Sequence, residues 1–121
     1  MNYGVAVLGA SANPERYSYK AVKLLAEHDY RVFPIHPSER PVDGIKCYAN
    51  LSSVQDEIDT ITLYLSARNS EPLIDEIIAA RPRRIILNPG AESDELTKRC
   101  GEAGIEVLEA CTLVLLRTDQ F

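Results

Sequence analysis

An open, all-parallel α/β sheet of about five strands, with helices on both faces, is the fold class that this sequence predicts. Three observations predict it. Short apolar runs of strand length alternate with amphipathic stretches of helical period along the whole chain. The runs are short and mostly apolar, the pattern of strands in a parallel sheet with helices on both faces. The first run passes into the first helical stretch through a tight turn with one glycine, "VLGASANPER". With 121 residues, 45% hydrophobic and 26% charged, the chain can close one core and has no length for a second unit of comparable size. One domain over residues 1–121 is therefore expected.

Taken in order, "YGVAVLG" reads as the first strand, and the helix after it carries Ala21, Leu24 and Leu25 on one face with Val22 beside them. "RVFPI" is the second strand, ended by Pro37. Residues 38–50 form a polar connection with Pro41 and Gly44, and "LSSVQDEI" starts a short helix with Ser52 and Gln55 at capping-box spacing. "TITLYLS" is the third strand. Pro72 suits the first turn of the next helix, whose Leu73, Ile74, Ile77 and Ile78 recur on one side. "RRIILNPG" carries the fourth strand and its turn. Glu92 and Ser93 begin a fourth helix, marked by Leu96, Cys100 and Ala103 and ended by Gly104. "IEVLEA" is the fifth strand, and "TLVLLR" packs as an apolar tail or forms an interface. This βα alternation is Rossmann-like, with right-handed crossovers and a ligand site outside the carboxyl ends of the strands.

The formal net charge of −5 argues against nonspecific binding to nucleic acid or to a membrane surface, both of which depend on a positive field. An anionic ligand must then be held by local groups, so individual arginines become informative. The sequence has no apolar stretch of membrane-spanning length and no secretory leader pattern, from which a cytoplasmic location is expected. Cys47, Cys100 and Cys111 lack metal-ligand spacing and read as small buried hydrophobes. No metal site is expected.

Four stretches fall at strand carboxyl ends: "GASANPERYSY", "HPSER", "SARNS" and "NPGAES". In the first, Gly9 permits a tight turn, Ser11, Asn13 and the first amides of the helix can donate to a phosphate, and Arg16 adds a planar cation. A plain turn with a solvated arginine is the competing reading. After the second strand the chain reads Ile35, His36, Pro37, Ser38, without the acid that binds the ribose hydroxyls of NAD. Arg40 follows, and a cation there suits a phosphorylated ribose, which admits NADP or a 3′-phosphorylated nucleotide. His36 either contacts that group or has no ligand role.

These segments together resemble the small stand-alone CoA-binding proteins, whose domain is similar to the N-terminal CoA-binding domain of the succinyl-CoA synthetase alpha subunit. The likeness runs through "VAVLGASANPERYSYKAVKLL", "YRVFPIHP", "GIKCYANLSSV" and "AGIEVLEACTLVLL", in family order. By resemblance, Gly9, Ser11, Asn13, Arg16 and Ser18 cradle a pyrophosphate, Arg40 lies near the adenosine 3′-phosphate, and the Ser66 to Asn69 turn borders the adenine or pantetheine. The full candidate cofactor-binding set adds Ala10, Tyr19, His36, Pro37, Arg68, Asn88 and Gly90. Where the family often carries Asn before the second-strand proline, this chain has His36. The synthetase's phosphohistidine belongs to a second domain, which supports a binding module over a ligase.

The leading expectation is a protein that binds CoA or an acyl-CoA as a carrier, sensor or regulatory module, with no catalytic residues of its own. Cys111, at the end of the fifth strand, would need a nearby cation or base to act as a nucleophile. The alternatives are an NADP-dependent enzyme and an interaction subunit that has lost its ligand. The sequence leaves the identity of any protein partner open. Gly9→Val is expected to abolish binding and leave the fold intact, because the turn is taken to face the surface.

Overall fold

Five strands, β1 (Gly4–Leu8), β2 (Arg31–Ile35), β3 (Thr60–Leu63), β4 (Arg84–Leu87) and β5 (Glu106–Glu109), pair in the order β2-β1-β3-β4-β5, every pair parallel. They come from a computed structural model that describes residues 3–121. All residues of β1 and β3 are buried, the pattern of strands with helices above and below. Pro34 lies inside β2 opposite Val7, a position open to proline because β2 is at an edge. That outer edge is partly covered by Tyr48, whose amide donates to the Pro34 carbonyl at 2.8 Å and whose carbonyl accepts from His36 at 2.9 Å. At the start of β1 the chain needs glycine for space: a Cβ on Gly4 would lie 2.3 Å from the Glu57 carbonyl oxygen.

Side chains alternate across the strands and so divide the core into two layers. Val5 and Val7 face α1 (Tyr17–Glu27) and α5 (Thr112–Arg117), packing with Val22, Leu25 and Leu116. Ala6 and Leu8 face the other way, joining Ile61, Leu63, Ile85 and Leu87 beneath α3 (Ile74–Ala79) and α4 (Asp94–Glu102), whose Ile74, Ile77, Leu96 and Cys100 close that layer. The expected two-faced open sheet is thus the observed one. "TLVLLR" is a helix, α5, with Leu113 and Leu116 buried and Val114 left 53% exposed.

Two elements differ from expectation. "LSSVQDEI" makes only a 3₁₀ turn over Leu51–Ser53, and its cap is Asn50, whose Oδ1 accepts from the Ser53 amide at 2.9 Å and from the Ser52 and Ser53 hydroxyls. Ser52 is thereby inside the turn instead of capping a helix. Helical structure also begins before Pro72: α2 (Ala67–Ser70) and a 3₁₀ turn (Glu71–Leu73) lead directly into α3. Pro72 is tolerated because it falls at the opening of that 3₁₀ turn, where an amide has no helical partner. Consequently "SARNS" is a helical turn and not an irregular loop.

The fourth helix begins as its residues require, with the Ser93 hydroxyl accepting from the Leu96 amide at 3.1 Å and Asp94 and Glu95 in the first turn. It ends at Gly104, φ +85°, where a side chain would be strained. Asp29, φ +66°, makes the same left-handed exit from α1 without glycine.

Candidate functional site

Strand order reverses between β2 and β3, which lie on opposite sides of β1, so the carboxyl ends of β1, β2 and β3 splay apart. Two hollows open there. One, of about 470 Å³, lies between the β1 and β2 ends and is lined by Ala10, Ser11, Ala12, Asn13, His36, Ser38, Arg40 and Val42. The other, of about 590 Å³, lies over the β1 and β3 ends and is lined by residues 9–11 and 15–18 together with His36, Tyr64, Leu65 and Pro89. Ala10, Ser11 and His36 border both. A ligand that fills the two must cross at those three residues.

The turn between β1 and α1 is a scaffold with a particular set of free donors. The Gly9 and Ala10 amides both donate to the Ile35 carbonyl, at 3.2 and 3.1 Å, and so tie this turn to the end of β2. The Ser11 hydroxyl accepts from the Asn13 amide at 3.0 Å, while Asn13 accepts from the Glu15 amide through Oδ1 and from the Arg16 amide through its carbonyl. Asn13 therefore shapes the turn, with its side-chain nitrogen left over for the first hollow. The next amides belong to the first turn of α1. That helix has no side-chain cap and no acidic residue in its first turn, although it opens on the second hollow through Arg16, Tyr17 and Ser18. Its start thus lacks the cap and first-turn acids that α4 has in Ser93, Asp94 and Glu95, with Glu15, just before the cap residue Arg16, on the rim of the same hollow. Arg16 and Arg40 are exposed, and neither forms an ion pair among the described residues.

Gly9 adopts φ +91°, and a Cβ there would meet Leu65 carbons at 3.0 Å and the Tyr64 carbonyl carbon at 3.1 Å. The position is crowded from the β3 side and conformationally restricted, so the expectation that Gly9→Val leaves the fold untouched is corrected. Such a variant strains the turn itself.

The remaining candidates are not gathered at the two hollows. Tyr19 points from α1 toward the 38–50 connection and donates its hydroxyl to Asp43 at 3.2 Å. Its phenol is raised above its ordinary value first by burial and then by that carboxylate. Pro37 is exposed in the turn that carries His36 and Ser38, and Ser66 and Arg68 lie at the start of α2, outside the lining of either hollow. Gly90 adopts φ +93° and its amide donates to the Glu92 carboxylate at 3.1 Å. Asn88 is 1% exposed and fully engaged: Nδ2 donates to Thr62 Oγ1 at 2.7 Å and to the Leu63 carbonyl at 3.0 Å, and Oδ1 accepts from the Thr112 amide at 2.8 Å. It locks the β4 end to β3 and to the start of α5.

Sequence reasoning passed over Tyr17, Ser38, Tyr64, Leu65 and Pro89. Tyr17 had an available signal, since it stands between Arg16 and Ser18 and is 69% exposed in the structure. Tyr64 shares a strand face with Thr62, two residues back. Burial pushes its phenol up to about 12, against the pull of the Thr112 and Thr62 hydroxyls. Those hydroxyls lie 2.6 Å from each other, Thr62 also accepts from Asn88, and the Tyr64 hydroxyl has no hydrogen-bond partner among the described residues. Of the cysteines, Cys47 and Cys100 are buried as expected and Cys111 is half-buried at the start of α5.

Comparison with known proteins places this geometry. Over 55 residues, 46% of the chain, it is 36% identical to an ADP-forming acetate–CoA ligase of Methanocaldococcus jannaschii, of which it covers 8%. It is 35% identical over 57 residues to the alpha subunit of the ADP-forming acetate–CoA ligase II of Pyrococcus furiosus, covering 12% of it. The chain thus spans about a tenth of the length of these ligases. A solved crystal structure of an uncharacterized protein superposes with a TM-score of 0.93 at 31% identity, with 100% of this chain and 99% of that one covered. The model of the CoA binding domain matches residues 4–117, nearly the whole chain, and with it the turn after β1, the His36 turn and both layers of helices. The chain belongs to the CoA binding domain family.

Proposed function

We propose that this protein binds CoA or an acyl-CoA across the two hollows at the strand carboxyl ends, as a carrier, sensor or regulatory module without a catalytic step of its own. The observation that carries the reading is the N-terminus of α1, which has neither side-chain cap nor first-turn acid and opens on the second hollow beside Arg16, a residue with no ion pair among the described residues. A helix start of this kind attracts a phosphate, and a pyrophosphate suits it better than a single charge. Arg40 stands at the first hollow, on the other side of Ala10, Ser11 and His36, where it suits a second and separate phosphate. A ligand with a pyrophosphate and a distant phosphomonoester fits this division. The 3′-phosphorylated ADP portion of CoA has those groups. The ADP-forming acetate–CoA ligases that share this segment act on CoA by name, which supports the same ligand here.

Isothermal titration calorimetry of the purified chain with CoA, acetyl-CoA, NAD and NADP tests the reading. Saturable binding of CoA and acetyl-CoA with no heat from NAD is the expected result. Binding of NADP without CoA overturns the ligand assignment.

A further inference from the structure

We propose that His36 is the specificity-determining donor of this site: an imidazole whose Nδ1 is held as an acceptor by its own turn, and which offers Nε2–H to an acceptor oxygen of the ligand where the two hollows meet. The inference rests on the function proposed above and goes beyond it, because it names the atom and the direction of the hydrogen bond.

The direction follows from the donors around the ring. The Ser38 amide donates to His36 Nδ1 at 3.0 Å, and an amide can only donate. Nδ1 must therefore carry a lone pair. The Ser38 hydroxyl lies 2.8 Å from the same nitrogen and accepts from the Arg40 amide at 3.4 Å. A ring whose Nδ1 accepts from the Ser38 amide bears its hydrogen on Nε2. The backbone of His36 is anchored too. Its amide donates to the Tyr48 carbonyl at 2.9 Å, and its carbonyl accepts from the Glu39 amide at 3.0 Å.

The ring is exposed and borders both hollows, together with Ala10 and Ser11. The Ala10 amide is already engaged by the Ile35 carbonyl, so the side-chain donors at the crossing are the Ser11 hydroxyl and the His36 ring, and of the two only the ring is held by its own turn as a donor. A group that only donates there selects a ligand segment rich in acceptors, such as the oxygens of a phosphate or phosphoribose, and disfavours one that presents donors.

Two substitutions separate the roles of the two ring nitrogens. His36→Asn keeps an oxygen near Nδ1 to receive the Ser38 amide and removes the Nε2 donor. His36→Gln places an amide donor near Nε2 and gives up the Nδ1 acceptor. On a wild-type chain that binds CoA, His36→Asn is expected to weaken binding about tenfold, and His36→Gln to stay within about threefold of wild type. A long-range proton–nitrogen correlation spectrum at mildly alkaline pH is expected to show the Nε2–H tautomer for His36. Assignment is simple because His28 is the other histidine of the two.

Equal losses in both variants, no loss in either, or an Nδ1–H tautomer overturns the inference. Failure of the wild-type chain to bind CoA overturns the function reading itself and is seen before any variant is compared. On a wild type that does bind, the variants bear on His36 alone.

Discussion

Arg40 and Asn88 show at the residue scale what sequence can and cannot reveal about a site. Arg40 was legible because a cation following a strand end, in a chain of net charge −5, needs a local reason to be there. The structure brings it to the first hollow with no ion-pair partner among the described residues. Arg40→Ala is expected to weaken CoA by about 1.5 to 3 kcal/mol, the range for a hydrogen bond to a charged group, and to leave 3′-dephospho-CoA nearly unaffected. Calorimetry with the two ligands checks it, and equal losses would place the arginine elsewhere. Asn88 occupies a comparable strand-end position, yet its amide is consumed by Thr62, Leu63 and Thr112. No sequence pattern distinguishes an asparagine that faces ligand from one that faces a threonine pair 26 and 24 positions away. Asn88→Ala leaves the buried Thr112 amide without its partner, and the expected cost is about 2 kcal/mol or more in denaturant unfolding. CoA affinity should change much less than stability does.

At the scale of elements, strands were more legible than helix boundaries because an apolar run has few alternatives, while a helix start depends on which groups take up its amides. Pro72 looked like a beginning, but Ser66 to Ala79 is a nearly continuous helical path in which Pro72 falls at a 3₁₀ turn. Gln55 likewise suggested a capping box, whereas Asn50 collects the donors and the turn stops after Ser53. The β3 and β4 starts are joined by a contact that sequence did not point to: Arg83 donates to both oxygens of Asp59, at 3.1 and 3.2 Å, and the Thr60 hydroxyl donates to it at 2.6 Å. Burial alone would raise the Asp59 carboxyl, but the Arg83 and Thr60 hydrogen bonds outweigh it and hold the group below its ordinary value of 3.8. The folded state therefore favours the ionised form. Its contribution is present above the unfolded value and disappears as pH falls through the lower folded one. Because Arg83 is 59% exposed, Asp59→Asn is expected to cost only about 1 kcal/mol at neutral pH. The difference from wild type should shrink as the pH is taken below 3.8, as read from urea midpoints. A constant difference across that window would show that the carboxylate's charge is not the source.

At the scale of the whole molecule, topology turns separate local features into one site. Gly9, His36 and Tyr64 are far apart in sequence, but the order β2-β1-β3 brings three successive strand ends side by side, and the two hollows follow from that order. The alternation of strands and helices was enough to anticipate the sheet and the end at which ligand sits. It could not anticipate the partition into two hollows, because that depends on the Gly9 and Ala10 amides being tied to Ile35. Since those ties belong to the folded chain alone, a ligand that bridges the hollows should stabilise the fold as a whole. Binding restricted to the native state contributes RT ln(1 + [L]/Kd), about 2.7 kcal/mol at a hundredfold excess over Kd. For a domain of this size each kcal/mol raises Tm by roughly 4 °C, so saturating CoA is expected to raise it by on the order of 10 °C. Acetyl-CoA should match CoA if the acyl end lies outside the phosphate contacts, dephospho-CoA should give a smaller shift through loss of the Arg40 contact, and NAD should give none. A thermal-shift series with these ligands and NADP reads all the terms together. A large shift with NADP and none with CoA would reject the assignment, and a flat response to every ligand would favour the reading of an interaction subunit that has lost its ligand.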